Sequence, residues 1–203
     1  VEKWAKLGSL RYSVFDLFLT LVLYLLPAVD DIRCVSERLM SLRLRHSQGV
    51  LTVVSVYAPT DTRGPKLDQD QKARLKDTFY CQLESVVEGR PAGDTPLVLG
   101  DFNAQVGSSR AGYEDVIGPH GTGDRPSDNG SRLLDFPKSH SLRIAGTWYQ
   151  RPDHHRWTWY SNNGRDRSEI DHVLVGTRWR LLKSCRVSVS YTHLRAHETQ
   201  LHL

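Results

Sequence analysis

Asp101 and Asn103 stand two residues apart in PLVLGDFNAQVG, residues 96–107. An apolar run, Leu97-Val98-Leu99, meets Gly100 and ends in this carboxylate and amide. A carboxylate so placed can take a proton from water, and an amide can orient that water or donate an N–H. The same pair can also cap an ordinary turn. Four further stretches carry comparable chemistry: Tyr57 in VSVYAPT, Asn129 in PSDNGSR, Trp159 in TWYS, and Asp171 with His172 in EIDHVLVG. Tyr57 offers an O–H and Asn129 an amide; Trp159 offers a stacking face. Each also has a structural reading: a core tyrosine, a turn cap, a tryptophan between sheets, a strand end.

These residues matter together only if the chain places them together. LMSLRLRH alternates, with Met40, Leu42 and Leu44 on one face and Ser41, Arg43 and Arg45 on the other. That pattern predicts a half-exposed strand. VLTVVSVYAP is apolar on both faces and β-branched, so it predicts a central strand, ended by Pro59. Residues 66–88 repeat Leu67, Leu75, Phe79, Leu83 and Val86/Val87 at helical spacing. The strand at 97–100 follows. Residues 107–130 are Gly-rich and polar; Gly118, Gly121 and Gly123 do not form GxGxxG, which argues against a dinucleotide site. Asp128 or Asn129 is placed to cap a short helix that Pro137 should end or kink. LRIAGTWYQ, RWTWYS and EIDHVLVG read as strands. Strand, helix, strand, then short strands predict a mixed α/β sheet structure. Tyr57, Asp101 with Asn103, Trp159 and Asp171 all fall at strand ends, where sites are usually built.

Composition sets the frame. At 203 residues, with 39 % apolar and 25 % charged side chains, the chain suits one domain, alone or with tails. A net charge of +4 is compatible with a polyanionic partner without requiring one. Cys34, Cys81 and Cys185 are odd in number and lie far apart, which predicts neither a disulfide framework nor a zinc site, and points to a reducing, intracellular setting, nuclear or cytoplasmic. Val14 to Val29 is strongly apolar but short for a spanning helix, so a buried helix or a segment foreign to the domain is favoured over a membrane segment. Asp153-His154-His155 reads as a loop, because the two rings are adjacent rather than at metal-ligand spacing.

VSVYAPT, LVLGDFNAQVG, IGPHGTGDRPSDNGSRLLDF, GTWYQRPDHHRWTWYS and EIDHVLVG, in that order, resemble successive blocks of the endonuclease/exonuclease/phosphatase superfamily, and most closely the endonuclease domains of LINE-type retrotransposons. The resemblance runs from about Arg38 to Val187. It divides the chain into an apolar segment at 1–37, a partial domain at 38–187 and a tail at 188–203. It implies an α/β sandwich of two mixed β-sheets flanked by helices, DNase I-like and incomplete at both ends. It further implies hydrolysis of a phosphodiester in DNA with Mg²⁺ or Mn²⁺, by a monomer. On that reading Asp101, Asn103, Tyr57 and Asp171 are catalytic and Asn129 and Trp159 contact substrate. Asp101 and Asn103 aim a water at phosphorus, while Tyr57, Asn103 and Asn129 donate to the phosphate oxygens. Asp101 is also a candidate metal ligand. In the family the residue matching Asp171 holds a histidine that contacts the scissile phosphate. His172 is not that histidine, since neighbours on a strand face opposite ways. Arg151, Arg156, Arg165 and Arg167 surround the aromatics and suit either phosphate contacts or a solvated loop.

The pattern departs from the family near both ends. The early strand ending in a metal-binding Glu is not found; Asp16, Asp30, Asp31 and Glu37 occupy no family motif. The terminal Ser-Asp-His block is echoed only by Thr192-His193. Glu169 stands where relatives often have Gln. The expected consequence is impaired hydrolysis, because losing one stabilising donor commonly costs about 100- to 1000-fold in rate. Two other readings stay open: a non-catalytic remnant that binds nucleic acid, and a phosphatase for a small phosphorylated molecule.

Overall fold

A computed structural model describes residues 28–47, 49–60, 67–152, 155–161, 163–177 and 184–186. The apolar stretch at 14–29 and the tail at 188–203 lie almost wholly outside these residues. No helix among the described residues is long and apolar enough to cross a membrane.

The chain forms β1 (Val29–Ser36), β2 (Leu39–His46), β3 (Gly49–Tyr57), α1 (Gln69–Glu88), β4 (Thr95–Asp101), α2 (Asp128–Ser139), β5 (Leu142–Ile144), β6 (Trp159–Tyr160), β7 (Arg167–Ser168) and β8 (Asp171–Gly176). A 3₁₀ turn covers Ala145–Trp148. Six strands build one mixed sheet in the order β1-β2-β3-β4-β8-β5. Only β3 and β4 run parallel, joined by the crossover that contains α1; the other pairs are antiparallel. Among the described residues the second sheet is a two-stranded ribbon, β6-β7. This is a mixed α/β fold.

One core fills the face of the sheet that meets the helices. Val54, Val56, Val98, Leu142, Ile144 and Leu174 pack there with Phe79 and Leu83 of α1 and Leu133 and Phe136 of α2. Burying each such side chain contributes about 1.5–3 kcal/mol. On the opposite face Met40, Leu42, Leu44, Leu51, Val53, Leu97 and Leu99 are only half-buried. The polarity of β2 is therefore the reverse of what its alternation suggests: Ser41 is buried and the leucines on the other face are not. The reason is a polar network on the inner face. The Arg43 guanidinium makes two bonds to Asp94, at 2.7 and 3.0 Å, and the Thr52 hydroxyl donates to the same carboxylate at 2.8 Å.

The helices start where their caps dictate. Asp68 accepts from Gln71 N and the Gln71 side chain returns the bond, a capping box that starts α1 at Gln69. Its buried stripe is Lys76, Phe79, Leu83 and Val87; Leu75, assigned to that stripe by spacing, is 48 % exposed. Lys76 is buried because its Nζ donates to Asp128 at 2.6 Å. Ser127, not Asp128 or Asn129, caps α2. The helix runs through Pro137 to Ser139, where a sequence reading stops it. Pro137 falls in the last turn, so the missing N–H removes one intrahelical bond and the cap bond from His140 N to Phe136 O survives. LRIAGTWYQ is a strand for only three residues before the 3₁₀ turn. Residues 29–36, unassigned in the sequence reading, form β1 and pair with β2.

Candidate active site

Strand register brings the central residues together. Tyr57 is the β3 partner of Asp101 in the parallel ladder, and Asp101 is the β4 partner of Asp171 in the antiparallel ladder. Directly opposed residues share a face. Tyr57, Asp101 and Asp171 therefore stand level on one face at one end of three adjacent strands. His172 points to the other face and is 4 % exposed, as strand alternation requires.

The turn after β4 explains the motif residue by residue. Gly100 has φ +141°, and a Cβ there would lie 2.1 Å from the Val56 carbonyl oxygen. Only glycine lets β4 approach β3 so closely just before Asp101. Asn103 adopts φ +47°, a left-handed conformation that asparagine tolerates. Its N–H donates to Asp101 Oδ1 at 2.8 Å and its Nδ2 to the Ala58 carbonyl at 2.9 Å. Phe102 and Ala104, on either side, are fully buried. From beneath, His172 Nε2 donates to the Ala104 carbonyl at 2.7 Å; a carbonyl only accepts, so Nε2 carries the hydrogen. Nδ1 of that ring is buried and makes no hydrogen bond.

Asn129 lies behind the same turn. It is 1 % exposed, and its Nδ2 donates to the Pro59 carbonyl at 2.8 Å and the Asn103 carbonyl at 3.2 Å. Its amide ties the loop after Tyr57 to the loop after Asp101, and Asn103 likewise gives its amide to backbone. Gly130 lets α2 sit against this turn; a Cβ there would meet the Gln105 carbonyl oxygen at 1.8 Å.

Burial pushes the Asp101 carboxyl upward, the Asn103 N–H holds it down, and the charge of Asp171 adds a further upward push. Asp171 is also raised, first by the protein around it, though its outer edge meets solvent; the Thr158 hydroxyl and His172 oppose the shift. His172 is depressed by full burial.

Trp159 is 41 % exposed and so is not a core residue between sheets. It pairs with Ser168 in the β6-β7 ribbon. The neighbouring Thr158 hydroxyl accepts from Ile170 N and Asp171 N at 3.0 and 3.2 Å, which docks the ribbon at the start of β8. Of the four arginines around the aromatics, Arg151 does not face solvent: it is 9 % exposed and its guanidinium lies 2.9 Å from Glu169, itself buried. Thr122 donates to the other Glu169 oxygen at 3.1 Å. Glu169 thus supplies the countercharge for a buried arginine. Arg167 lies over the Trp157 ring, 4.7 Å from its centroid. His155 is half-buried and its N–H bonds the Pro152 carbonyl, as a loop residue; Asp153 and His154 lie outside the described residues.

Arg38 was missed by sequence reasoning. Its carbonyl accepts from Tyr57 N at 2.9 Å, and its guanidinium sits 5.4 Å from the centroid of the half-exposed Tyr57 ring. The β1–β2 turn therefore delivers a cation to the rim. The available signal was its place at the turn before β2, opposite the end of β3. Glu37 lies beside it, 3.5 Å from Arg38 Nε. The other described acids of this segment are paired elsewhere, Asp30 with Arg43 and Arg45 and Asp31 with Arg33. Asp16 and His193 lie outside the described residues.

No family model matches the chain. Among solved structures, the endonuclease domain of TRAS1, a telomere-specific non-LTR retrotransposon, aligns with a TM-score of 0.44 and 16 % identity, covering 70 % of this chain and 51 % of that one. The 3′ phosphatase NExo from Neisseria, bound to product DNA hairpin, aligns with a TM-score of 0.47 and 15 % identity over 73 % and 58 % of the two chains. D. rerio TDP2, complexed with single-strand DNA product, gives 0.42 and 14 % over 73 % and 52 %. By sequence, the chain is 35 % identical over 145 residues to craniofacial development protein 2 of Tragulus javanicus and 34 % identical to that of Bos taurus. The match takes in 71 % of this chain and 23 % of those proteins, so the chain spans about a quarter of their length. Over the aligned part the chain is similar to craniofacial development protein 2, and the solved structures it resembles include an endonuclease/exonuclease/phosphatase family protein.

Proposed function

We propose that the chain hydrolyses phosphodiester bonds in DNA as an endonuclease of retrotransposon type, with activity below that of a complete family member. The observation that carries this reading is the level placement of Tyr57, Asp101 and Asp171 on three adjacent strands, with Arg38 stacked beside Tyr57. The Asn103 N–H fixes one Asp101 oxygen and leaves the other to accept a proton from an attacking water. Burial raises the proton affinity of that carboxylate, which strengthens it as a base. The Tyr57 hydroxyl and the Arg38 guanidinium meet the charge that grows on the phosphate oxygens. Asn129 acts at one remove by locking both loops, and Trp159 offers an exposed face for a base to stack on.

The residues fit a hard divalent ion. Asp101 and Asp171 are oxygen donors crowded enough for one charge to raise the other, and Mg²⁺ is usually held by one or two carboxylates plus water. Asp101, with Asp171, would hold Mg²⁺ or Mn²⁺, which when bound offsets charge on the leaving oxygen. Asp30 and Asp31, being paired with arginines, do not replace the family's glutamate. The chain acts as a monomer in this reading.

That shortage of carboxylates supports a second reading, a binding domain without catalysis. One assay separates the two: nicking of supercoiled plasmid in Mg²⁺. Slow nicking that EDTA, D101A and D171A each abolish supports the first. DNA binding with no nicking supports the second, and nicking that survives both substitutions overturns the proposed site.

A further inference from the structure

At the end of the helical layer, remote from the rim, Glu84 and Glu88 of α1 meet His140, the residue that ends α2. One ligand atom from each of the three lies within 4.8 Å of the other two. His140 Nε2 is 3.5 Å from Glu88 Oε1 and 3.8 Å from Glu84 Oε1. From these groups we infer a transition-metal site, best suited to Zn²⁺, that ties α1 to α2.

The imidazole is the independent observation. Its side chain is 8 % exposed, held against the Phe136 ring at 4.7 Å between centroids. Nδ1 lies 2.8 Å from the Phe136 carbonyl, which can only accept, so Nδ1 carries a hydrogen. A neutral ring in that tautomer presents its Nε2 lone pair to the two carboxylates. A histidine oriented through its other nitrogen by a backbone carbonyl is the usual arrangement of a metal ligand.

The spacing and charge agree. Tetrahedral ligands at Zn–N and Zn–O distances of about 2.0–2.2 Å lie about 3.3–3.6 Å apart. The observed separations need only small rotamer changes in two glutamates that are 47 % and 66 % exposed. Without an ion the carboxylates repel one another at i,i+4 and oppose the negative end of α1, whose last turn holds no basic residue. Arg90, just beyond, directs its guanidinium to the Val87 and Asp94 carbonyls instead. One nitrogen and two oxygens suit Zn²⁺ with water as the fourth ligand, and do not suit Mg²⁺, which favours an all-oxygen shell.

The test is a calorimetric titration of the metal-stripped 203-residue chain with Zn²⁺. It is run beside E84Q/E88Q and beside D101N/D171N, since Zn²⁺ could also settle on the rim carboxylates. The expected result is a site with Kd of about 10 μM or tighter in the parent and in D101N/D171N. E84Q/E88Q should bind one fewer Zn²⁺, and Zn²⁺ should raise Tm in the parent but not in that variant. If E84Q/E88Q keeps the parent's stoichiometry and Tm response, or the parent binds no Zn²⁺, the site does not exist. Should the double variant fail to fold, E88Q alone, at a mostly exposed position, must weaken binding at least tenfold.

Discussion

Asp101 and Asp171 face each other as register partners across the β4–β8 ladder, two carboxylates level at the rim of the sheet. Both are held above the usual carboxylate range, Asp101 partly by the charge of its partner. For a raised carboxyl, the folded state binds more protons than the unfolded state between the ordinary value and the raised one, so stability falls as pH rises through that window.

Neutral isosteres should remove this penalty. D101N and D171N are each expected to raise Tm at pH 7, with the gain vanishing below about pH 4, where both states carry the proton. The Asn103 N–H keeps an acceptor in D101N. Thermal melts of both variants across pH check this, and an unchanged or lower Tm at pH 7 would remove the electrostatic account of the pair.

His172 should act with the opposite sign. Burial depresses it, so below the ordinary histidine value the unfolded chain takes a proton that the folded chain resists. Stability is expected to fall as pH drops below about 6.5. H172Q retains an N–H for the Ala104 carbonyl and does not titrate. Its stability between about pH 6.5 and pH 5 should be flatter than the parent's by urea denaturation. Parallel curves for the two chains would contradict this.

Gly100 should not tolerate a side chain. Its φ is +141°, and an added methyl carbon would sit 2.1 Å from the Val56 carbonyl oxygen. G100A therefore belongs with the severe substitutions, above about 3 kcal/mol. Gly93 has open space around it, so G93A should lie within about 0.5 kcal/mol of the parent. Equilibrium denaturation of the two variants gives the comparison.

Arg38 should report on the phosphate backbone. If its guanidinium contacts a single phosphate, R38A weakens DNA binding by a similar factor for unrelated sequences and lowers the slope of log K against log salt by about 0.9. Fluorescence anisotropy at several salt concentrations measures it. A slope equal to the parent's would place Arg38 off the DNA path.

Much of this arrangement was legible in the sequence, for identifiable reasons. The β-branched run through Tyr57 and the apolar run before Asp101 announce strands because both faces are apolar, and strand ends collect at one rim. What sequence could not show was register, which makes Tyr57, Asp101 and Asp171 level and sets Arg38 against Tyr57. Burial of charge was equally hidden. Arg151 reads as a surface cation until Glu169, 18 residues on, is found 2.9 Å away. Lys76 reads as the polar face of α1 until Asp128 meets it from α2. In each case the partner is distant in sequence, and local pattern carries no information about it.

The parallel pairing of β3 with β4 has a consequence for how the rim comes into being. A parallel ladder cannot close through a tight turn, and here it waits for the whole excursion through α1. Contacts of such separation in sequence form late, because the chain loses loop entropy before it gains them. The whole of α1 lies between Tyr57 and Asp101 in the chain, and Asp171 joins from 70 residues further along. The rim is thus built by the ladders of widest sequence separation among the described residues, and a chain that has formed only its local structure carries these residues without carrying the site.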